Sequence, residues 1–521
     1  MKKILAILLV LVMVLGLAAC GEKKETTPVD NTPSEPTYAD HVTVAIDVLP
    51  SSYDASSMAF PMIARLVYDE LIEYDKVTQE LKPGLATSWS WKDEGSTILH
   101  LDLREGVTFH NGNPFTAEDV EFTLAHNGNA NIAGYYDHCE IENDHSIDVV
   151  LKSGSADFVY ILTNTLYAGI MDKESAEADA NFGTAIGTGP WAYDLDNTLD
   201  GDRYEFVRND NYWGELPTAS LLTLRYIKES NARLIALQNK EIAAFCTVGE
   251  TDREAIANDA NLEYCSGTGV GPAKMYYIAF NMKTGKAANN LYLRQAVACA
   301  MNNAEIIAAY GDPGAEESNG AFWGASTPFK AQTSDFQEDL SFNIEKGKDL
   351  LKKAEEVNGG PIPTLTLLSN YTKAVNSTMC LAVQAECKAI GLDVEIIESD
   401  SAGVLALTKY DGPGDWDMIQ YNVPLESWPS AVNRMLVKNS NNNRAILESD
   451  YVEDLLMKAA ATNDEAAREQ MYKEVQVYVH DNAIYIPVYY GSRDGAQLKG
   501  VEGIVWTNDG YPEFGYAKVP Q

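Results

Sequence analysis

Four residues within one short stretch, His126, His138, Cys139 and His145, carry side chains that commonly ligate metals. A metal site needs imidazole or thiolate groups that converge. Adjacent residues such as His138 and Cys139 point apart in regular structure, so no metal is expected. Gly267-Thr268-Gly269-Val270-Gly271 has the glycine content of a cofactor loop. It precedes a strand and not a helix, so no cofactor is expected. The chain has no Gly-x-Ser-x-Gly elbow, no His-Glu-x-x-His pair and no Walker loop. Paired carboxylates carry no signal here, because 76 acids stand against 39 lysines and arginines. Enzyme chemistry is not expected. The net charge of −37 also excludes nucleic acid as a partner.

Binding chemistry is better supported. Val42 to Ile46 alternates as a strand, and Pro50-Ser51-Ser52-Tyr53-Asp54 follows it. The carboxyl end of a strand opening into a crevice is where α/β proteins hold ligands. Tyr53 and Phe60 are therefore ligand candidates, and Tyr421 ends another strand, Met418 to Tyr421.

The elements that must position these residues interleave along the chain. Thr97 to Leu103 alternates as a strand. Thr116 caps the next helix, with Asp119 at capping-box spacing. Strands follow at Ile147–Leu151, Leu221–Ile227 and Tyr276–Phe280. The C-terminal half reads strand Thr364–Leu368, helix Val375–Ile390 ended by Gly391, strand Leu392–Ile397, strand Met418–Tyr421 and helix Ser430–Leu436. That rhythm predicts right-handed crossovers and a parallel sheet. Asn343 caps another helix, with Ile344, Gly347, Leu350, Leu351 and Ala354 on one face. Helix Ala467–His480 and strand Ile484–Tyr489 close the series. Six cysteines beyond Cys20 allow fifteen disulfide connectivities. Cys299 and Cys387 lie on apolar helix faces and read as buried free thiols.

The N-terminus reads as a signal. Lys2 and Lys3 precede the apolar run Ile4–Leu15, which is short for a bilayer span. Leu17-Ala18-Ala19-Cys20-Gly21 resembles the lipobox of bacterial lipoproteins. That resemblance implies cleavage after residue 19 and acylation of Cys20. Residues 20–38 are rich in proline and polar residues and read as a flexible linker. The expected location is the outer face of the cell membrane, lipid-anchored, or the periplasm.

The body resembles the extracellular solute-binding proteins of ABC importers, family 5, the peptide and nickel class. The matching segments run in order: Leu81-Lys82-Pro83-Gly84-Leu85-Ala86-Thr87-Ser88-Trp89, then Leu101-Asp102-Leu103-Arg104-Glu105-Gly106-Val107-Thr108-Phe109-His110-Asn111-Gly112. Gly187-Thr188-Gly189-Pro190-Trp191 and Val207-Arg208-Asn209-Asp210-Asn211-Tyr212-Trp213-Gly214 follow, with Leu293-Arg294-Gln295-Ala296 later. Taken as residues alone, Tyr212 and Trp213 read as core aromatics and Arg104-Glu105-Gly106 as a solvated turn. The resemblance implies an α/β, two-lobe periplasmic-binding-protein fold (type II, cluster C) with an extra subdomain. Lobe I would take Tyr38–Glu80, Pro190–Asn281 and Ile484–Gln521, the subdomain Leu81–Gly189, and lobe II Met282–Ala483. Hinge strands are expected near Tyr276–Asn281 and Asp481–Val488.

The same resemblance implies a ligand held between the lobes and passed to an ABC permease with ATPase subunits by a monomeric binder. The family's ligand loop corresponds to Asp415–Pro429. The usual Asp before Pro is absent, and Trp428-Pro429 stands in its place. Glu426 and Trp428 are the expected ligand contacts, with Asp415 and Asp417 as weaker candidates. Oligopeptides or dipeptides are the expected solute. The alternatives are a nickel or metallophore chelate, or a role as the ligand-binding part of a sensor. Nickel binders of the family hold their anionic chelate through arginines, yet Ala125–Asp172 contains none. The acidity and that lack suggest amine-bearing ligands.

Overall fold

Three large sheets and a two-stranded one, Ile72–Tyr74 with Leu81–Pro83, divide the described body of the chain. The computed structural model describes residues 37–50, 61–76, 78, 80–164, 168–178, 186–267, 274–283, 285–310, 315–324, 327–370, 374–424, 428–440, 442–491, 493–507 and 511–521. Tyr38–Gln521 packs as one unit.

The first sheet has seven strands. Their order is Leu262–Ser266, Asp494–Leu498, Ala244–Cys246, His41–Ile46, Leu221–Tyr226, Arg203–Arg208 and Trp191–Leu199. His41–Ile46 is central and parallel to both neighbours. Its β-branched alternation explains the placement, because successive side chains face opposite sides of a sheet. Val42, Val44 and Ile46 enter one core with Trp191 and Phe206, and Ala45 enters another with Leu237 and Phe245.

The second sheet has four antiparallel strands, in the order Ala86–Trp91, Ile98–Leu103, Ser146–Leu151, Tyr136–Asn143. Leu99, Leu101 and Leu103 are buried on one face, as their alternation requires. Helix Ala117–His126 begins with the expected capping box between Thr116 and Asp119.

The third sheet has six strands, in the order Glu316–Glu317, Tyr485–Gly491, Lys274–Phe280, Met418–Pro424, Leu365–Asn370, Val394–Ser399. The last three are mutually parallel. These are the strands expected to form a parallel sheet. Lys274–Phe280 runs antiparallel to both Met418–Pro424 and Tyr485–Gly491. Lys274–Phe280 and Tyr485–Gly491 overlap the two segments expected at the hinge, and they pair with each other. The helix expected at Ser430–Leu436 is a 3-10 turn, Pro429–Val432, followed by one α-turn, Asn433–Leu436.

Helix Ile344–Asn358 is capped by the Asn343 side chain, buries Gly347, Leu350, Leu351 and Ala354, and ends at left-handed Gly359. It packs on Leu291–Ala300, where Ala296 and Cys299 are fully buried. The six described cysteines are all free thiols. Burial pushes the Cys246, Cys265, Cys380 and Cys387 thiols up to about 12.

Candidate functional site

Segments from three parts of the chain converge on one buried carboxylate, Asp69. Thr188 Oγ1 and Trp213 Nε1 each donate to it at 2.8 Å, and Tyr212 OH donates at 3.1 Å. The Arg104 guanidinium lies 4.2 Å from the centre of the Trp213 ring, and its Nε donates to the Gly84 carbonyl. Burial raises the Asp69 pKa, while the three hydrogen bonds and Arg104 oppose that rise. Arg104 is therefore not a solvated turn residue. The glycines beside it have a steric cause. A Cβ on Gly187 would fall 2.1 Å from the Val67 carbonyl oxygen, and one on Gly189 2.6 Å from that of Leu66. This node lies where the core of the first sheet meets that of the four-stranded sheet.

The crevice itself follows from the third sheet. Strand Leu365–Asn370 has Val394–Ser399 on one side and Met418–Pro424 on the other. The winding reverses there, which makes the carboxyl ends of these strands a topological switch point. The registered pairing of the two inner strands covers only Leu367–Met418 and Leu368–Ile419.

Tyr421 stands in this opening, half-buried. The Arg444 guanidinium lies 5.0 Å from the centre of its ring, a cation–π contact, and Tyr277 is 6.4 Å away. Arg444 is 4% exposed, donates to Thr408 Oγ1 at 2.8 Å, and leaves its buried Nε without a partner. Arg434 donates to the Pro424 carbonyl at 3.0 Å. Burial raises the Tyr277 pKa, and Arg444 and Arg434 both act against the rise. The opening is therefore locally positive inside a strongly acidic protein.

A seam joins the core of the four-stranded sheet to that of the third sheet. Asp157, 0% exposed, accepts from Ser430 N at 2.8 Å and from Tyr472 OH at 2.9 Å. Its other oxygen lies 3.7 Å from Arg468 Nε, and neither atom has a hydrogen-bond partner. Ala156 N donates to the Ala460 carbonyl at 2.6 Å, and Asn463 contacts Ser96 and the Asp93 carbonyl.

Tyr53, Phe60, Glu426 and Cys20 lie outside the described residues. Trp428 is 4% exposed and packs in the subdomain core with Phe158 and Leu162. Asp417 accepts from Thr366 N and Oγ1, both at 2.9 Å, and Asp415 is exposed. His138 is exposed and paired with Asp137. His100, Glu142 and Asp148 do place ligand atoms within 4.8 Å of one another. Lys92 already bridges that group, at 3.1 Å to Glu142 and also to Asp148.

Asp69, Asp157, Arg434 and Arg444 do not stand out in the sequence analysis. One signal was available. It concerns Asp157, a lone acid directly before the apolar run Phe158–Leu162. Such an acid is buried with partners or not at all. Asp69 stands beside Glu70 and gives no such signal.

A family model described as bacterial extracellular solute-binding proteins, family 5 Middle, matches residues 80–444. The chain belongs to this family. Members are substrate-binding components of ABC transporters and not enzymes. Across 496 residues the chain is 26% identical to the dipeptide-binding protein of Escherichia coli K12, covering 87% of this chain and 88% of that one. It is 25% identical over 461 residues to the nickel-binding periplasmic protein of the same strain, covering 82% and 84%. Among solved structures, HbpA2 from Haemophilus parasuis superposes with a TM-score of 0.80 at 19% identity, covering 92% of this chain and all of that one. The solute-binding protein thus has the two-lobe fold of its family. No helix among its described residues is long and apolar enough to cross a membrane.

Proposed function

We propose that this solute-binding protein captures short peptides between its two lobes and delivers them to an ABC permease. The observation that carries the reading is the switch in winding at strand Leu365–Asn370, whose registered pairing with Met418–Pro424 covers only two positions. An extended peptide is recognised largely through main-chain hydrogen bonds to such a strand edge, with side chains held loosely. Arg434 and the Arg444–Tyr421 pair supply positive charge for a carboxylate at one end. Glu426 is the candidate partner for the amino end, and Tyr53, Phe60 and Trp428 are further candidate contacts. Cys20 carries a lipid anchor that holds a monomer at the outer membrane face, with residues 20–38 as its tether.

The relative that binds dipeptides supports this reading, and the relative that binds nickel supports a second one. An anionic metal chelate would also suit the arginines near Tyr421.

Native mass spectrometry of the full chain, purified from rich medium and then offered a defined peptide library, separates the two. Retained peptide masses support peptide carriage. A bare protein that rejects the library, yet gains thermal stability from Ni²⁺ with histidine, overturns it. Glu426→Gln is expected to weaken amine-bearing peptides, and unchanged affinity would remove that residue from the site.

A further inference from the structure

A cavity of about 450 Å³ opens at the far edge of the third sheet, away from the interlobe crevice. It lies by the start of strand Tyr485–Gly491, whereas the crossings to the first sheet leave from the opposite end of that strand and its neighbour. Its size falls within the range of small-molecule sites.

The wall is built and not incidental. Asp481, at the end of helix Glu465–Asp481, accepts from Gln337 N at 3.3 Å, Glu338 N at 3.2 Å and His480 Nδ1 at 2.9 Å. One carboxylate thereby pins the 333–342 segment against the helix. The His480 ring, 9% exposed, stacks on Phe336 with centroids 3.8 Å apart and planes 7° from parallel. Gly320 lies at the edge of that stack. Its φ is +77°, and a Cβ there would meet the imidazole at 2.9 Å and the Phe336 ring at 3.7 Å. The stack is therefore hemmed in along that edge, and aromatic surface forms part of the lining.

The charge of the lining is one-sided. Glu317, Glu338 and Asp339 contribute to it, and no lysine or arginine does so among the described residues. Lys346 donates to the Asp339 carbonyl and is not part of the lining. Burial lowers the His480 pKa, although Asp481, Asp339 and Glu338 act against that fall. Asn303 Oδ1, on another lining residue, is buried without a partner and can accept a hydrogen bond. Phe342 is 49% exposed at the mouth, a large apolar surface left open to solvent.

We propose that this cavity is a second ligand site, separate from the interlobe crevice, that takes small amphiphilic cations such as aryl- or alkylammonium compounds. Aromatic faces attract an ammonium group through the ring quadrupole, and a carboxylate rim adds to that attraction. An anion of the same shape meets only repulsion.

The test is calorimetric titration of the full chain in detergent with phenyltrimethylammonium, and with benzoate as the matched anion. Saturable binding of the cation below about 5 mM is expected, with none for benzoate. Glu338→Gln and Phe342→Ala alter exposed side chains, so thermal melting is expected to stay unchanged. Each is expected to weaken the cation roughly two- to fivefold. Absence of cation binding, equal binding of benzoate, or full affinity in both variants would overturn the proposal.

Discussion

Tyr472 OH donates to Asp157 at 2.9 Å across the seam between the core of the four-stranded sheet and that of the third sheet. The Ser430 amide donates to the same oxygen, so one fully buried carboxylate ties the segment after the four-stranded sheet to two separate later segments of the chain. Removing one partner from a buried polar pair leaves an uncompensated group and costs about 1–3 kcal/mol. Tyr472→Phe is therefore expected to loosen the seam by that amount. Asp157→Asn also removes the charge facing Arg468 and should cost more. In a binder that closes around its ligand, both should favour the open form. Small-angle scattering of the unliganded variants should give a larger radius of gyration than the parent. A double-mutant cycle on thermal stability should return a coupling of about 1 kcal/mol or more. Additive effects would mean that the bond contributes nothing.

Asp69 offers a second test. Asp69→Ala strips the acceptor from Thr188, Tyr212 and Trp213 together. Each stranded buried donor costs about 1–3 kcal/mol, so a loss of roughly 3 kcal/mol or more is expected in chemical denaturation. A loss below 1 kcal/mol would show that water satisfies the node.

Gly187→Ala forces a methyl group against the Val67 carbonyl, and backbone cannot step aside as a flexible side chain would. Overpacking of this kind costs about 1–3 kcal/mol. Gly128→Ala meets nothing within 4 Å and serves as the control in the same melting experiment.

Glu386 tests the effect of pH. Burial pushes its carboxyl up to about 7, although the Asn302 amide donates to it at 3.1 Å; nearby Glu305 adds to the rise. A raised folded pKa means that the folded state binds this proton more tightly than the unfolded chain does. The resulting stability is fully present below the ordinary carboxylate range and is lost as pH rises through about 7. Glu386→Gln keeps an acceptor for Asn302 and cannot ionise. It should raise the melting temperature at pH 8 and leave it nearly unchanged at pH 4. An equal effect at both would place the charge elsewhere.

Much of the fold was legible because periodicity follows burial. Leu99, Leu101 and Leu103 alternate because one face of their strand is buried. Asn343 caps and Gly359 stops a helix for local reasons that a sequence displays. The mixed direction of the third sheet was not legible. It depends on Lys274–Phe280 meeting Tyr485–Gly491, two strands more than two hundred residues apart. The site was legible in part. Tyr421 could be placed in a strand, although the strand runs on to Pro424 and leaves it in the middle, whereas Arg444 reaches it from a loop whose sequence carries no periodic signal. Tyr212, Trp213 and Arg104 were readable as a pattern, but their common partner, Asp69, lies far upstream.

Hydrogen–deuterium exchange of the full chain, with and without a retained peptide, tests the central claim most directly. Bound peptide is expected to slow exchange in Met418–Pro424, at the carboxyl end of Leu365–Asn370, and along the Asp157–Tyr472 seam. Protection confined to other regions, or none on adding any peptide, would contradict capture between the lobes.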